Sequence, residues 1–266
     1  MEDNQSVKAF YENECDENAR EGRETIEFAR SKNIISRYLR KKDMEIADVC
    51  GATGAYSFWL AAMGHRVHLL DLAPNHIETA KQKSRASGLA LASYSCADAR
   101  ELPYDDNSMD LVLLMGALYH FRSPASRLRC LTEAYRVLRK GGTLLCTVLN
   151  RYNFLIASLK YKHLIERMGV DPIEKALSTG IIDNPAFTSL PLLYGHTPGE
   201  IVSELTTAGY KDIKLIAVEG IANALSDNQL PGDTAEAARL LRCVELLESV
   251  PELMGVSRNI IAAGTK

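Results

Sequence analysis

The segment Ile46–Asp71 constrains the fold of this chain more than any other part of the sequence. It reads IADVCGATGAYSFWLAAMGHRVHLLD. An apolar run ends in a turn of small residues, a stretch with helical spacing follows, and a second apolar run ends in a carboxylate. This order predicts a strand, a tight loop, a helix and a second strand, the first half of a nucleotide-binding α/β unit.

The loop and the second strand carry groups that suit a nucleoside ligand. The small residues Cys50–Gly54 allow the backbone to turn sharply and to approach a ligand closely. The N-terminus of the following helix offers free N–H groups to an anionic group. Asp71 ends the second strand, where a carboxylate can accept hydrogen bonds from both hydroxyls of a ribose. The nicotinamide fingerprint G-x-G-x-x-G is absent, because Cys50 and Ala52 stand where glycines are expected.

Asp48–Gly54, DVCGATG, resembles motif I of the class I S-adenosylmethionine-dependent methyltransferases, D-x-G-x-G-x-G, with Cys50 and Ala52 in place of two glycines. Four further segments resemble family motifs and follow in family order: the adenine loop Cys96–Ala99, the fourth strand Met109–Gly116, the helix end and turn Arg136–Gly142, and the fifth strand Thr143–Leu149. Over about residues 45–150 the chain is therefore similar to this family, in its small-molecule, UbiE- and SmtA-like type.

The resemblance implies a fold and a domain organisation. The fold is α/β, a Rossmann-like and mostly parallel seven-stranded sheet of order 3-2-1-4-5-7-6, with strand 7 antiparallel, helices on both faces and a helical cover. Residues 1–44 form the cover, 45–150 the cofactor-binding core, and 151–196 an insertion that acts as a lid on the acceptor site. Residues 197–266 complete the sheet, with a helical insertion at 221–254.

The residues after the core allow a coarser prediction of structure. The spacing of prolines predicts loops over Asp171–Gly195, and Thr197–Glu200 has the pattern of a capping box with proline at the first helical position. Apolar runs predict a sixth strand over Asp212–Val218 and a closing strand over Arg258–Gly264.

The family's cofactor is S-adenosylmethionine, its product is S-adenosylhomocysteine, and no metal is expected. The implied cofactor-binding residues are Asp48, Cys50, Gly51, Ala52, Gly54, Asp71, Leu72, Asp98, Ala99 and Met115. Asp71 would bind the ribose and Asp98 the adenine amino group. The alternatives are a surface carboxylate at Asp71, a turn-forming residue at Asp98 and a loop cap at Asp48.

Tyr119 and His120 follow the fourth strand, where family members place residues that face the acceptor. Histidine there is a candidate general base, and the alternative is a hydrogen-bonded structural residue. Tyr11, Arg151 and Tyr194 are candidates for the acceptor pocket, and Arg151 could pair with an acidic acceptor. Further aromatic and basic candidates, each more often found in packing or at the surface, are Arg20, Arg23, Tyr152, Tyr161, His163 and His196.

These features predict an S-adenosylmethionine-dependent methyltransferase that transfers a methyl group to a small molecule by in-line displacement. The alternatives are a methyltransferase-fold protein that binds without turnover, and a methyltransferase acting on protein or tRNA. A formal net charge of −3 and the lack of a dense basic run disfavour nucleic-acid binding.

The longest apolar stretch, Leu111–Leu118, is far shorter than the ~20 residues of a membrane span. The acidic N-terminus is not a signal peptide, and the six cysteines form no C-x-x-C pair, so we expect a cytoplasmic protein without disulfides or zinc.

Overall fold

The apolar run before the loop forms a buried central strand in the computed structural model, which describes residues 2–13, 25–161, 163–182, 193–225 and 229–266. The strands of the main sheet are β1 (Glu45–Val49), β2 (Arg66–Asp71), β3 (Ser93–Cys96), β4 (Met109–Leu114), β5 (Leu138–Asn150), β8 (Lys211–Ala217) and β9 (Asn259–Thr265). Their order across the sheet is β3-β2-β1-β4-β5-β9-β8. Among these seven described strands, β9 runs in the direction opposite to the other six. The predicted order is confirmed, with β8 and β9 as the sixth and seventh strands of the family.

Helices connect the strands and cover the sheet. The described α-helices are α1 (Glu2–Asn13), α2 (Ile26–Ser36), α3 (Ala55–Ala62), α4 (Pro74–Ser87), α5 (Pro124–Val137), α6 (Asn153–Lys160), α7 (His163–Met168), α8 (Asp171–Thr179), α9 (Pro198–Thr207), α10 (Ala222–Leu225) and α11 (Thr234–Leu247). The predicted capping box begins α9: the Glu200 backbone N–H donates to Thr197 Oγ1, and the Thr197 N–H donates to the Glu200 carboxylate. None of the described helices is both long enough and apolar enough to cross a membrane.

The core lies on both faces of the sheet, because successive residues of each buried strand point to opposite sides. In β1, Ala47 and Val49 pack into the cluster beneath α5 and α9, whereas Ile46 packs into the cluster that contains residues of α2, α3 and α4. The residues of β4 alternate in the same way. Burial on both faces of a parallel sheet explains why a central strand such as β4 reads as an apolar run from Leu111 to Leu114.

The loop prediction for Asp171–Gly195 is wrong for two parts of that segment, the helix α8, which has Pro172 in its first turn, and a pair of short strands. β6 (Ile181–Ile182) pairs antiparallel with β7 (Leu193–His196), which pairs in parallel with the end of β5. Leu149 of β5 pairs with Asn259 of β9 on one edge and with Gly195 of β7 on the other, so β7 lies on the β4 side, beyond the end of β4. Short strands such as these depend on distant partners rather than on a local pattern.

Candidate functional site

The loop after β1 has an unusual backbone. Cys50 and Ala52 have φ angles of 59° and 49°, and Gly54, which precedes α3, has a φ of 92°. These are left-handed conformations that glycine adopts freely and that cost other residues about 1 kcal/mol or more each. The two residues that stand in place of motif glycines therefore keep left-handed conformations at an energetic cost.

Gly51 is required by packing rather than by its φ. A Cβ atom at this position would lie 2.5 Å from Leu69 Cδ1 and 2.7 Å from Asp48 Oδ2. Its N–H donates to the Leu70 carbonyl of β2 at 3.2 Å. The loop is thus held directly against the ends of β1 and β2, at the edge where the strand order reverses and where α/β sheets bind ligands.

Asp48 lies at the base of this loop and is fully buried. Its Oδ2 accepts a hydrogen bond of 2.7 Å from Ser57 Oγ in the first turn of α3. A carboxylate beside a helix N-terminus is favoured by the helix dipole. Asp48 therefore joins β1 to α3.

Asp71, at the end of β2, joins three pieces of backbone. Oδ2 accepts from the Ala52 N–H at 2.9 Å, and Oδ1 accepts from the Ala73 N–H at 2.9 Å and from His76 Nδ1 at 3.1 Å. The residue is only 8% exposed, so Asp71 is not a surface carboxylate. A carboxylate has about four acceptor positions, so capacity remains for a ligand hydroxyl.

Asp98, after β3, is both a turn former and one half of an ion pair. Its Oδ1 accepts from the Arg100 backbone N–H at 2.9 Å, and both oxygens contact the Arg100 guanidinium, the shorter distance being 2.6 Å. Ala99 beside it is buried. Leu72, the residue after Asp71, accepts at its carbonyl a weak contact from Cys96 Sγ. The turn-forming interpretation of Asp98 holds, and it leaves room for a further contact to adenine.

The end of β4 lies close to the loop after β1. A Cβ at Gly116 would be 3.3 Å from Tyr119 Oη and 3.5 Å from the Cys50 carbonyl oxygen, so only a small residue fits between them without displacement. Met115 is partly buried, and its sulfur accepts a contact from Thr147 Oγ1 at 3.5 Å. The predicted cofactor residues of β1, β2 and β4 thus converge at one edge of the sheet.

A histidine–tyrosine cluster lies above that edge. Tyr119 and His120 form a 3₁₀ turn after β4, and Tyr11 Oη of α1 lies 3.2 Å from His120 Nε2. The Tyr11 ring also packs edge-to-face on His76, with ring centroids 5.5 Å apart, and Asn75 Nδ2 donates to the Tyr11 carbonyl at 3.0 Å. The structure thus brings Tyr11 and His120, two of the predicted site residues, into contact.

His76 was not among the residues singled out from the sequence. It lies in the first turn of α4, is 4% exposed and contacts both Asp71 and Tyr11. The signal in the sequence was its position five residues after Asp71 and two residues after Pro74, which begins a helix. A lone histidine at such a position carries little information without the tertiary contacts.

Arg151 and Tyr194 belong to an internal ion-pair network. Arg151 Nη2 contacts both oxygens of Glu200 at 2.6 Å and Tyr194 Oη at 3.2 Å, and Arg151 Nε donates to the Gly195 carbonyl. Burial raises the pKa of Glu200, but the Thr197 backbone N–H and Arg151 outweigh it and hold that pKa below its usual value. An acidic acceptor at Arg151 would have to compete with Glu200.

A second ion pair continues this network. Arg127 of α5 donates to Glu204 Oε1 at 2.8 Å and lies 3.7 Å from the centre of the Tyr194 ring. His196, which is fully buried, contacts Glu204 Oε2 at 3.2 Å, and burial lowers the His196 pKa. Tyr194 and His196 therefore anchor β7 to α5 and α9.

Three of the remaining candidates flank the helices α6 and α7. Tyr152 and Tyr161 are each 43% exposed, and His163 begins α7. Arg20 and Arg23 lie outside the described residues. Within the described ranges, no group of three or more histidine, cysteine or carboxylate side chains is arranged to hold a metal ion.

Known proteins share this core. Residues 47–146 match the family model of a methyltransferase domain. The chain is 27% identical over 143 residues to the ubiquinone/menaquinone biosynthesis C-methyltransferase of Zymomonas mobilis, over 52% of this chain and 58% of that protein. It is 33% identical over 118 residues to a demethylmenaquinone methyltransferase of Staphylococcus epidermidis, over 43% of this chain and 47% of that protein. The chain thus spans about half the length of these relatives.

The fold comparison covers more of the chain. The structure of an S-adenosylmethionine-dependent methyltransferase from Methanosarcina mazei matches 88% of this chain and 96% of its own, with a TM-score of 0.59 and 19% identity. Similarity at this level of identity shows the fold alone. Residues 47–146 thus match a methyltransferase domain, and the chain has the fold of a solved S-adenosylmethionine-dependent methyltransferase.

Proposed function

We propose that this protein binds S-adenosylmethionine and transfers its methyl group to a small-molecule acceptor. The observation that carries the proposal is the buried Asp71 carboxylate, which accepts the Ala52 N–H and so joins the end of β2 to the loop after β1. A carboxylate and a closely approaching backbone are the two groups that a nucleoside requires at this edge of a sheet.

The residues present fit the cofactor. The loop Cys50–Gly54 would face its amino-acid portion, Asp71 its ribose, and Asp98 with Leu72 and Ala99 its adenine. When bound, S-adenosylmethionine supplies an electrophilic methyl group and a good leaving group. The protein's task is then to orient the acceptor and to exclude water. We propose that residues 1–44 and the insertion 151–196 do this as a cover and a lid, while residues 197–266, with the helical insertion 221–254, complete the core.

The cluster of Tyr11, Tyr119 and His120 is the proposed acceptor site. A general base is needed only when the acceptor loses a proton during attack. Histidine is the side chain whose ordinary pKa lies closest to neutrality, so His120 is the proposed base. The Tyr11 hydroxyl lies 3.2 Å from His120 Nε2, and this contact fixes the orientation of the His120 ring.

The packed rings of Tyr11, Tyr119 and His120 offer an aromatic surface that suits a flat acceptor such as a quinol. The two relatives compared above carry names of quinone-pathway methyltransferases, which supports this choice of acceptor class. The net charge of −3 supports a small acceptor over a nucleic acid. A second candidate, binding without turnover, is supported by the left-handed Cys50 and Ala52, since the strain in this loop could weaken the hold on the cofactor.

The proposal is tested by calorimetric titration with S-adenosylmethionine, S-adenosylhomocysteine and NADH. We expect micromolar binding of both adenosyl ligands and none of NADH. Transfer of a radiolabelled methyl group is then measured on a panel of hydroquinones, small acids and amines. If neither adenosyl ligand binds, the proposed function is wrong; if they bind and no member of a broad panel is methylated, the non-catalytic candidate takes its place.

A further inference from the structure

His76 holds a buried nitrogen atom for which the protein supplies no partner. The Nε2 atom of His76 has no hydrogen-bond partner among the residues that the structure describes, although the side chain is almost fully buried. Buried polar atoms in folded proteins are nearly always hydrogen-bonded, because leaving one unpaired costs free energy. An unpaired atom beside a binding edge therefore points to a ligand group.

The contact with Asp71 determines what kind of group that is. His76 Nδ1 lies 3.1 Å from Asp71 Oδ1, and an ionised carboxylate can only accept. When the imidazole is uncharged, its proton is on Nδ1 and Nε2 is an acceptor. The atom that satisfies it must be a donor, and a hydroxyl group fits this requirement.

The position of the His76 ring indicates which hydroxyl groups it could contact. His76 lies between Asp71, the proposed ribose ligand, and Tyr11, whose hydroxyl reaches His120. A ribose that places one hydroxyl on Asp71 carries the other on the adjacent carbon, so both hydroxyls come near the Asp71–His76 pair. We propose that His76 is a second ribose-binding residue, whose Nε2 accepts a hydrogen bond from one of the two hydroxyls.

This inference rests on the proposed function and adds a residue that determines specificity for a ribonucleoside. In the absence of His76, Asp71 alone would distinguish a ribose from a deoxyribose. With it, one hydroxyl gains an acceptor inside a buried site, where an unpaired group is penalised most. The purely structural alternative is that His76 only orients the Asp71 carboxylate.

The test compares S-adenosylhomocysteine with its 2′-deoxy and 3′-deoxy analogues by calorimetry. The proteins are the wild type, His76→Leu and, as a matched control, His65→Leu. His65 precedes β2 at the opposite edge of the sheet, and its Nδ1 accepts from the Met44 N–H. In His76→Leu the affinity penalty for one deoxy analogue should shrink by about tenfold, whereas both penalties should be unchanged in His65→Leu.

Each outcome has a separate meaning. If His76→Leu weakens all three ligands equally, His76 only positions Asp71 and the inference is wrong. If the wild type does not bind S-adenosylhomocysteine at all, it is the proposed function that fails. Should His76→Leu not fold, nitrogen-15 NMR of the wild type decides: the Nε2 resonance should shift with S-adenosylhomocysteine and stay in place with one of the deoxy analogues. Identical shifts with all three ligands would overturn the inference.

Discussion

The Asp71 carboxylate accepts a hydrogen bond of 2.9 Å from the Ala52 backbone N–H, so the end of β2 holds the loop after β1 in place. The same carboxylate contacts the Ala73 N–H and His76. One buried side chain thus orders the loop, the turn before α4 and the first turn of that helix. Any ligand that binds at this edge meets a backbone that Asp71 has already arranged.

Asp71→Ala should therefore weaken binding of S-adenosylmethionine strongly. One or two charge-assisted hydrogen bonds to the ligand are lost, which corresponds to on the order of 2–4 kcal/mol. Calorimetry measures the affinity. Thermal unfolding of the ligand-free protein shows whether the substitution also disorders the loop, which would weaken binding indirectly. Asp233→Ala, a change at the exposed N-cap of α11, is the control and should leave affinity unaltered. An unchanged affinity in Asp71→Ala would remove Asp71 from the site.

Ala52→Gly should stabilise the protein, although glycine usually destabilises. Ala52 has a φ of 49°, so glycine relieves a strain of about 1 kcal/mol or more, which exceeds the added entropy of the unfolded chain. The expected gain is a few tenths to about 1 kcal/mol, or up to about 4 °C in Tm. The matched control is Ala61→Gly within α3, which should lose about 1 kcal/mol. Equal destabilisation by both changes would show that the left-handed loop is not strained.

The core was predictable because its signals are local. The runs Ile46–Val49 and Leu111–Leu114 lie in a sheet buried on both faces, and both runs are apolar except for Asp48. The small residues of the loop come directly after the first run, and the carboxylate Asp71 ends the next apolar run of the sequence. Strand order then came from the resemblance to a known family rather than from the pattern itself.

The rest depends on contacts between distant residues. The pairing of β7 joins His196 to Asn150, and the hydrogen bond from α1 joins Tyr11 to His120 across more than a hundred residues. No periodicity records such pairs. Arg151 shows the same limit: its position after β5 suggested an acceptor contact, but Glu200, on a helix far along the chain, already pairs with its charge.

His120→Gln should slow methyl transfer by about 10²-fold or more to an acceptor that must lose a proton, with little change in affinity for S-adenosylhomocysteine. Tyr11→Phe, which removes only the hydroxyl 3.2 Å from His120 Nε2, should have the same kind of effect at smaller size. Single-turnover rates measure both. Tyr135→Phe, at a partly buried tyrosine of α5 that packs on Tyr210 and not in the proposed site, is the control. Wild-type rates in His120→Gln would exclude His120 as the base.

Arg151→Met should lower stability without affecting cofactor binding. It leaves Glu200 and Tyr194 without their guanidinium partner. Because the Glu200 side chain is 36% exposed, the expected loss is about 1–3 kcal/mol rather than that of a fully buried pair. Denaturant unfolding measures this loss in the free energy of unfolding. The control is Arg242→Met, which breaks an exposed ion pair with Glu245 and should cost under about 1 kcal/mol. Full stability in Arg151→Met together with a raised KM for the acceptor would instead place Arg151 in the acceptor site.

Glu219 should make the stability of the protein depend on pH. Burial, and then the negative charge of Glu27, raise the pKa of Glu219 to about 7, although Asn259 donates to it through both its backbone and its side chain. An acid whose pKa is higher in the folded than in the unfolded state contributes stability that is complete below the unfolded value. That contribution is lost as the pH rises through the folded value. Between about pH 4.5 and pH 7 the loss amounts to about 3 kcal/mol.

Replacing Glu219 with glutamine removes the titrating group, so the decline in stability over this pH range should disappear. Glutamine has nearly the size of glutamate, so it should fit the same buried pocket, in which Ser257 Oγ lies 3.1 Å from Glu219 Oε2 and accepts from the Glu219 and Gly220 backbone N–H groups. Urea unfolding at a series of pH values measures how steeply the free energy of unfolding falls with pH. This slope is the quantity to compare, because the amide changes some hydrogen bonds and so shifts the free energy by the same amount at every pH. Glu252→Gln, at an exposed glutamate, should retain the wild-type slope. A slope in Glu219→Gln equal to that of the wild type would mean that another group controls the pH dependence.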